Sequence, residues 1–126
     1  MQLNHDCVRD VLLYVEENAN YNVRISTNSI KLKDYSIEEI VYTIEKLSEA
    51  DFLNMTSVST MGKQIPGYIV KSITYKGHEF LDNIKDNSVW SDTKKQLSKF
   101  SSTSLSIISS VAAQVLSAKI KLHLGL

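Results

Sequence analysis

Apolar residues recur at helical spacing in several segments of the chain and predict most of its helices. Asn4 can cap a first helix over residues 5–18, with Asp6 in the first turn, where the helix dipole favours an anion. Ser36 and Glu39 stand at capping-box spacing before the clearest helical pattern, residues 37–49. A further helix is predicted after Thr74. Beyond a break at residues 86–88, another helix is predicted from the helical spacing of these residues: Val89/Trp90, Thr93, Leu97 and Phe100.

Two segments rich in aromatic and β-branched residues predict a β-hairpin. These segments are ADFLNMTSVS and YIVKSIT, and the segment between them holds Gly62, Pro66 and Gly67, which are typical of loops. A loop is predicted over residues 19–29, followed by a short strand at Ile30 and Leu32, which alternate with lysines. The pattern therefore predicts an α+β protein with helices and a small antiparallel sheet.

This order of elements resembles a winged-helix domain. The stretch IEEIVYTIEKLSEADFLN has the shape of the helix that turns into the first wing strand, and SITYKGHEFLDNI is similar to the signature that follows the wing. Gly77 falls in the first turn of the following helix, where the absence of a side chain would let that helix approach the sheet closely. Residues 19–35, however, leave no room for the first partner helix of a standard helix-turn-helix motif.

Most of residues 2–90 is similar to a family of small winged-helix-like proteins of unknown function, a DUF family from low-GC Gram-positive bacteria and their prophages. The resemblance is carried by LNHDCVRDVLLYVEEN, YSIEEIVYTIEKLSEADF and ITYKGHEFLDNIKDNSVW. It implies a winged-helix-like domain over residues 1–87 and a phage-associated setting, and it implies no catalytic residues. Residues 88–126 are expected to form a C-terminal helical extension.

Charge is divided between the halves of the chain, although the formal net charge is zero. Residues 1–56 carry a net charge of −5 and residues 57–126 a net charge of +5. The outer face predicted for the 37–49 helix is acidic and should repel DNA. An alternative function is therefore a winged-helix transcriptional regulator that binds DNA through the basic half, with these candidate contacts: Lys63, Lys71, Lys76, Lys94 and Lys95.

Sequence motifs give little indication of catalysis, so we expect no enzyme, no cofactor and no metal site. His5 and Cys7 lie close in sequence, but two positions apart on a helix they point to different faces. The favoured interpretation of Cys7 is a small, half-buried hydrophobic residue, and the alternative is a lowered pKa with incidental reactivity because of its place in a first helical turn. A single cysteine excludes an internal disulfide, and the chain is expected to be cytoplasmic.

The stretch FSSTSLSIISSVAAQVLSA, residues 100–118, carries no ionisable side chain. About half of it is apolar, whereas a membrane-spanning helix is predominantly apolar over about 20 residues. Its Ser- and Ala-rich face would let another helix approach closely. Three alternatives stay open: a core helix, a surface for self-association or a partner protein, and membrane contact. The favoured function is a non-enzymatic interaction module that forms a homo-oligomer or binds a partner protein through these residues: Leu105, Ile108, Val111, Ala112, Val115 and Leu122.

Overall fold

The structure is a computed structural model that describes residues 1–58, 62 and 64–126. The described residues form an α+β protein with five α-helices, a three-stranded antiparallel sheet and a short 3-10 helix, as the sequence predicts for the fold class. In chain order the elements are α1 (His5–Asn18), β1 (Ile25–Ser26), the 3-10 helix (Thr27–Ser29), α2 (Ile37–Glu49), β2 (Leu53–Val58), β3 (Gly67–Ile73), α3 (Tyr75–Ile84), α4 (Asn87–Leu97) and α5 (Leu105–Leu124).

Contacts within the chain divide it into two compact units, Met1–His78 and Glu79–Leu126. The boundary between the units lies inside α3, so the first turn of this helix belongs to the first unit and its last turns to the second. The division after residue 87 that the sequence favours stays a prediction.

The sheet of the first unit has the strand order β1-β3-β2, with both neighbouring pairs antiparallel. The predicted hairpin is confirmed, since β2 pairs with β3 from Leu53 opposite Ile73 to Val58 opposite Gly67. The strand predicted at Ile30 and Leu32 is wrong, and the strand lies at Ile25–Ser26, inside the predicted loop. The Thr27 hydroxyl accepts the backbone N–H of Tyr68 at 3.1 Å, and the chain then turns into the 3-10 helix.

Capping side chains fix the starts of α1 and α2 and also join them. Asn4 Oδ1 accepts hydrogen bonds from the backbone N–H groups of Asp6 and Cys7, and Ser36 Oγ accepts one from Glu39. Asn4 Nδ2 donates to the Glu39 carboxylate at 2.9 Å. The two helices therefore begin side by side, and they bury the core of the first unit together with the sheet. This core includes Val8, Val11, Leu12, Val15, Ile40, Val41, Ile44, Leu47 and Val70.

Gly77 lies where the first turn of α3 meets the backbone before β2. The Thr74 hydroxyl caps this turn, because it accepts the N–H of Gly77 at 3.0 Å and donates to the carbonyl of Asp51 at 2.6 Å. A Cβ atom on Gly77 would lie 2.3 Å from the carbonyl oxygen of Phe52 and 2.6 Å from Cγ2 of Ile73. The close approach predicted from the sequence is confirmed.

The second unit is helical over most of its length. Asp86 caps α4 by accepting the N–H of Val89 at 3.0 Å, and α4 buries Val89, Trp90 and Thr93. The helix predicted from this pattern is confirmed as far as Leu97, but its extension to Phe100 is wrong, since α4 ends at Leu97 and Phe100 is 65% exposed. The uncharged stretch is therefore divided, and α5 begins only after Ser104.

Replacing Gly77 with alanine should destabilise the first unit. Alanine is the better helix former by about 1 kcal/mol, but the clash with the Phe52 carbonyl should outweigh this and lower the free energy of unfolding by about 2 kcal/mol or more. Urea denaturation of Gly77→Ala measures the effect. Tyr75→Ala, at a position that is 76% exposed in the same turn, is the control and should change it by less than about 0.5 kcal/mol. A stabilised Gly77→Ala variant would contradict the close approach.

Removing the hydroxyl group from each of two buried threonines should change the free energy of unfolding in opposite directions. The Thr93 hydroxyl is buried without a hydrogen-bond partner among the described residues, so Thr93→Val should raise the free energy of unfolding by up to about 1 kcal/mol. Thr43 Oγ1 lies 2.8 Å from the carbonyl of Glu39 and donates to it, so Thr43→Val should lower the free energy by about 1 kcal/mol. Chemical denaturation of both variants checks the difference in sign, and equal losses would contradict it.

Candidate functional site

The ends of α5 are well defined by capping groups. Ser104 Oγ accepts the N–H of Ile107 at 3.2 Å, and Gly125 ends the helix in the left-handed conformation, with φ of 78°. Leu105 to Ala118 carries no charge, whereas Lys119, Lys121 and His123 stand in the last turns. The cations therefore lie near the carbonyl end of the helix, where its dipole favours them.

One narrow strip of α5 is buried within the second unit. Ile108 is 2% exposed and Ala112 is fully buried. Ser109 Oγ accepts a hydrogen bond from Asn83 Nδ2 at 3.1 Å, and the Lys119 ammonium lies 2.8 Å from a carboxylate oxygen of Asp92. This ion pair lowers the pKa of Asp92, chiefly through the hydrogen bond from Lys119. Packing and polar contacts together hold α5 in one rotation about its axis.

The interaction residues predicted from the sequence do not form one free surface. Ile108 and Ala112 belong to the core, so they cannot contact a partner without unfolding. Leu105, Val111 and Val115 are half-buried at the edges of the same strip, and Leu122 is 80% exposed beyond it. The helical spacing of these residues predicts one apolar stripe, whereas the structure places some of them in the core and others at the surface.

Other apolar residues of α5, which the sequence did not single out as contacts, are exposed. Ile107 and Ile120 are each 50% exposed and Leu124 is 64% exposed. The signal that points to Ile120 and Leu124 is the alternation of apolar and basic residues in KIKLHLGL at the end of the chain. These two side chains, four residues apart on one side of the helix, leave apolar surface in water, and exposed apolar patches are typical of a contact site.

By length and composition, α5 is the one helix of the described chain that is long and apolar enough to cross a lipid bilayer. Only 11% of the qualifying window is buried within the chain. A core helix of a soluble protein meets the same criterion, so length and hydropathy do not distinguish membrane contact from protein contact.

The lysines predicted to contact nucleic acid lie in separate parts of the chain. Lys63 is outside the described residues. Lys71 and Lys76 belong to the first unit, where the Lys76 ammonium lies 5.9 Å from the Phe52 ring centre. Lys94 and Lys95 belong to the second unit, where the Lys94 ammonium lies 5.6 Å from the Trp90 ring centre.

The solvent-facing side of α2 is acidic, as the sequence predicts. Lys46 forms an ion pair with Glu49 at 2.8 Å, and the Tyr68 hydroxyl donates to Glu45. Thr43 does not belong to this face, because it is buried and its hydroxyl lies 3.3 Å from the Cys7 sulfur of α1. One lysine among four carboxylates leaves a surface that repels phosphate groups.

A groove of about 610 Å³ on the first unit carries charges of both signs. Arg24, Lys71 and His78 line it together with Glu16, and His78 Nδ1 lies 3.9 Å from a Glu16 carboxylate oxygen. The mixture of charges gives this groove no clear preference for an anionic ligand.

Cys7 is a core residue with a raised pKa, so its interpretation as a small hydrophobic residue is confirmed and the alternative of a lowered pKa is wrong. Its side chain is fully buried, and the Thr43 hydroxyl lies 3.3 Å from its sulfur. Burial raises the pKa of the Cys7 thiol to about 11, because the thiolate would lose its hydration. Burial also lowers the pKa of His5. Among the described residues no group of three His, Cys, Asp or Glu side chains is arranged to hold a metal ion.

Comparisons with known proteins find relatives of unknown function. A family model described as a hypothetical protein, DUF2513, matches residues 2–104. An uncharacterized protein of Haemophilus influenzae is 28% identical over 118 residues, which cover 93% of this chain and 97% of that protein. No solved structure matches the chain at a significant level. The resemblance to a family of unknown function is confirmed.

The Cys7 thiol should react slowly in the folded protein. At pH 8 a chromogenic disulfide reagent should modify native Cys7 at least about tenfold more slowly than Cys7 of the denatured chain. The reason is that burial both shields the thiol from the reagent and keeps it protonated. Above its ordinary pKa of 9.0 the unfolded thiol ionises first, so stability should fall as pH rises from 9 towards 11. Ser101→Cys, which adds an exposed thiol, is the fast-reacting control. Equal reaction rates for native Cys7 and for the thiol introduced by Ser101→Cys would contradict the assignment of Cys7 to the core.

Proposed function

We propose that this chain, which belongs to the DUF2513 family of hypothetical proteins, is a non-enzymatic protein-interaction module that self-associates through α5. The observation that carries the proposal is the exposure of large apolar side chains on a helix anchored to its own unit by its opposite side. Ile120 is 50% exposed and Leu124 is 64% exposed. Each square ångström of such surface that is removed from water stabilises a complex by about 25 cal/mol, so binding of a second protein surface to these side chains would be favourable.

The composition of α5 also supports a protein partner. The exposed side of a helix on a monomeric protein normally carries Glu and Lys, but Leu105 to Ala118 has neither. Serine and alanine take their place, and small side chains let two helices approach closely. A helix that stays in water would gain nothing from this arrangement.

Membrane contact is the competing interpretation of α5. A spanning helix needs about 20 predominantly apolar residues, whereas four serines and a glutamine stand among the 20 residues of α5. Lys119 forms an ion pair with Asp92 of the same chain, which keeps the Lys119 ammonium beside α5. Both features favour a contact between proteins.

For residues 1–87 we propose a winged-helix-like fold, supported by the order α1–β1–α2–β2–β3–α3 and by the strand order β1-β3-β2. The three-residue 3-10 helix stands where a helix-turn-helix protein has its first partner helix. The acidic face of α2 argues against the alternative of a DNA-binding regulator. The phage-associated setting and the cytoplasmic location implied by the sequence stay predictions.

Leu124→Glu should convert a self-associating full-length chain into a monomer. A carboxylate on the exposed end of α5 would have to be desolvated in the contact, which costs far more than it costs on a free surface. Light scattering on a sizing column measures the mass of each variant through a dilution series. Phe100→Glu is the matched control, because Phe100 is 65% exposed in the same unit and lies outside α5. It should keep the mass of the unmodified chain.

Flotation with liposomes separates the competing interpretation. The unmodified chain is expected to stay with the soluble fraction in the presence of neutral and anionic vesicles. A monomeric chain that floats with vesicles, and that Leu124→Glu releases from them, would assign α5 to the membrane and overturn the proposal.

A further inference from the structure

Six residues of α5 share one side of the helix at spacings that alternate between four and three. We call this side the outer face; its members are Ser106, Ser110, Ala113, Ser117, Ile120 and Leu124. Ala113 is half-buried and the other five are exposed. Alternating spacings of three and four are those of a helix seam that packs against another helix.

The outer face is free to meet a second helix because the opposite side of α5 is occupied. Ile108 and Ala112 are buried, and Lys119 pairs with Asp92. Ser109 is bound by Asn83 at the edge of the outer face. A second copy can therefore approach the outer face without displacing a core residue.

Side-chain size changes along the outer face in a way that suits an antiparallel pair. Its first four members are small, and its last two, Ile120 and Leu124, are large. In a parallel pair the large residues would meet each other at one end and hold the helices apart, so the small residues at the other end would face a gap, which costs packing energy. In an antiparallel pair each large side chain would fill the space above a serine.

The positions of the outer face are symmetric about residue 115. A two-fold axis there places Leu124 of one copy opposite Ser106 of the other, Ile120 opposite Ser110, and Ala113 opposite Ser117. All six positions then have a partner, and each of the two copies uses the same surface. The spacing alone makes the positions symmetric, and the pairing of the large Ile120 and Leu124 with serines makes the surface complementary to itself, as a two-fold contact between identical chains requires.

The charges of α5 favour the same direction. Lys119, Lys121 and His123 lie in the last turns, and the part of the helix before them is uncharged. A parallel pair would bring the lysines of both copies to the same end. An antiparallel pair places them at opposite ends, where the apolar stem of Lys121 can cover Ile107 of the second copy.

We propose that two copies of this chain pair through α5 in antiparallel orientation, about a two-fold axis at residue 115. The inference rests on the proposed self-association and adds the identity of the partner, the direction of the helices and their register.

Disulfide trapping in the full-length chain tests the register. Ser110 and Ile120 of opposite copies would face each other, whereas equivalent residues would lie ten positions apart along the helix, or about 15 Å. A disulfide needs Cα atoms within about 4.4–6.8 Å. Under mild oxidation the double variant Ser110→Cys/Ile120→Cys should form a covalent dimer, and neither single variant should. The unmodified chain, whose Cys7 is buried, is the control without a cross-link.

The outcomes separate this inference from the proposed function. Covalent dimers from each single variant would show a parallel pair and overturn the inference. A dimeric mass without any cross-link would show another register or another surface, so the inference fails while self-association stands. A monomeric mass of the unmodified chain would overturn both.

Discussion

Close packing at Ile108 and Ala112 fixes the rotation of α5, and the functional account of this protein depends on that rotation. Each residue turns an α-helix by about 100°, so a shift of one position would exchange core and surface. The ion pair between Lys119 and Asp92 and the hydrogen bond between Asn83 and Ser109 support the same rotation. Because this side is fixed, the opposite side presents a defined set of side chains rather than an average over several orientations.

A length mismatch between helices leaves the end of α5 uncovered. With 20 residues α5 is about 30 Å long, whereas α4 has 11 residues and is about 16 Å long. One short helix cannot cover the longer one, and Leu122 and Leu124 are accordingly 80% and 64% exposed. Apolar side chains in water carry a free-energy cost that association would relieve. The same mismatch thus leaves uncovered the apolar end of α5 to which the proposed contact is assigned.

The sequence predicts those elements whose signals are local. Asn4 and Ser36 begin α1 and α2 as expected, because a capping side chain acts on amides two or three residues away. The two-residue strand at Ile25 was missed, since it depends on pairing with Val70, which is distant in sequence. For Cys7 the helix terminus suggested a lowered pKa, but tertiary burial outweighs that local effect and raises it. On α5 the sequence does not separate core from surface, because both sides carry apolar residues at helical spacing, and two of the candidate contacts, Ile108 and Ala112, are buried.

Sedimentation equilibrium of the unmodified chain tests the central claim, that α5 joins two copies of this protein, most directly. The chain has a mass of 14.2 kDa. The account predicts an exchange between this mass and twice this mass as the concentration increases, with no larger species. A constant mass of 14.2 kDa at every concentration would contradict it.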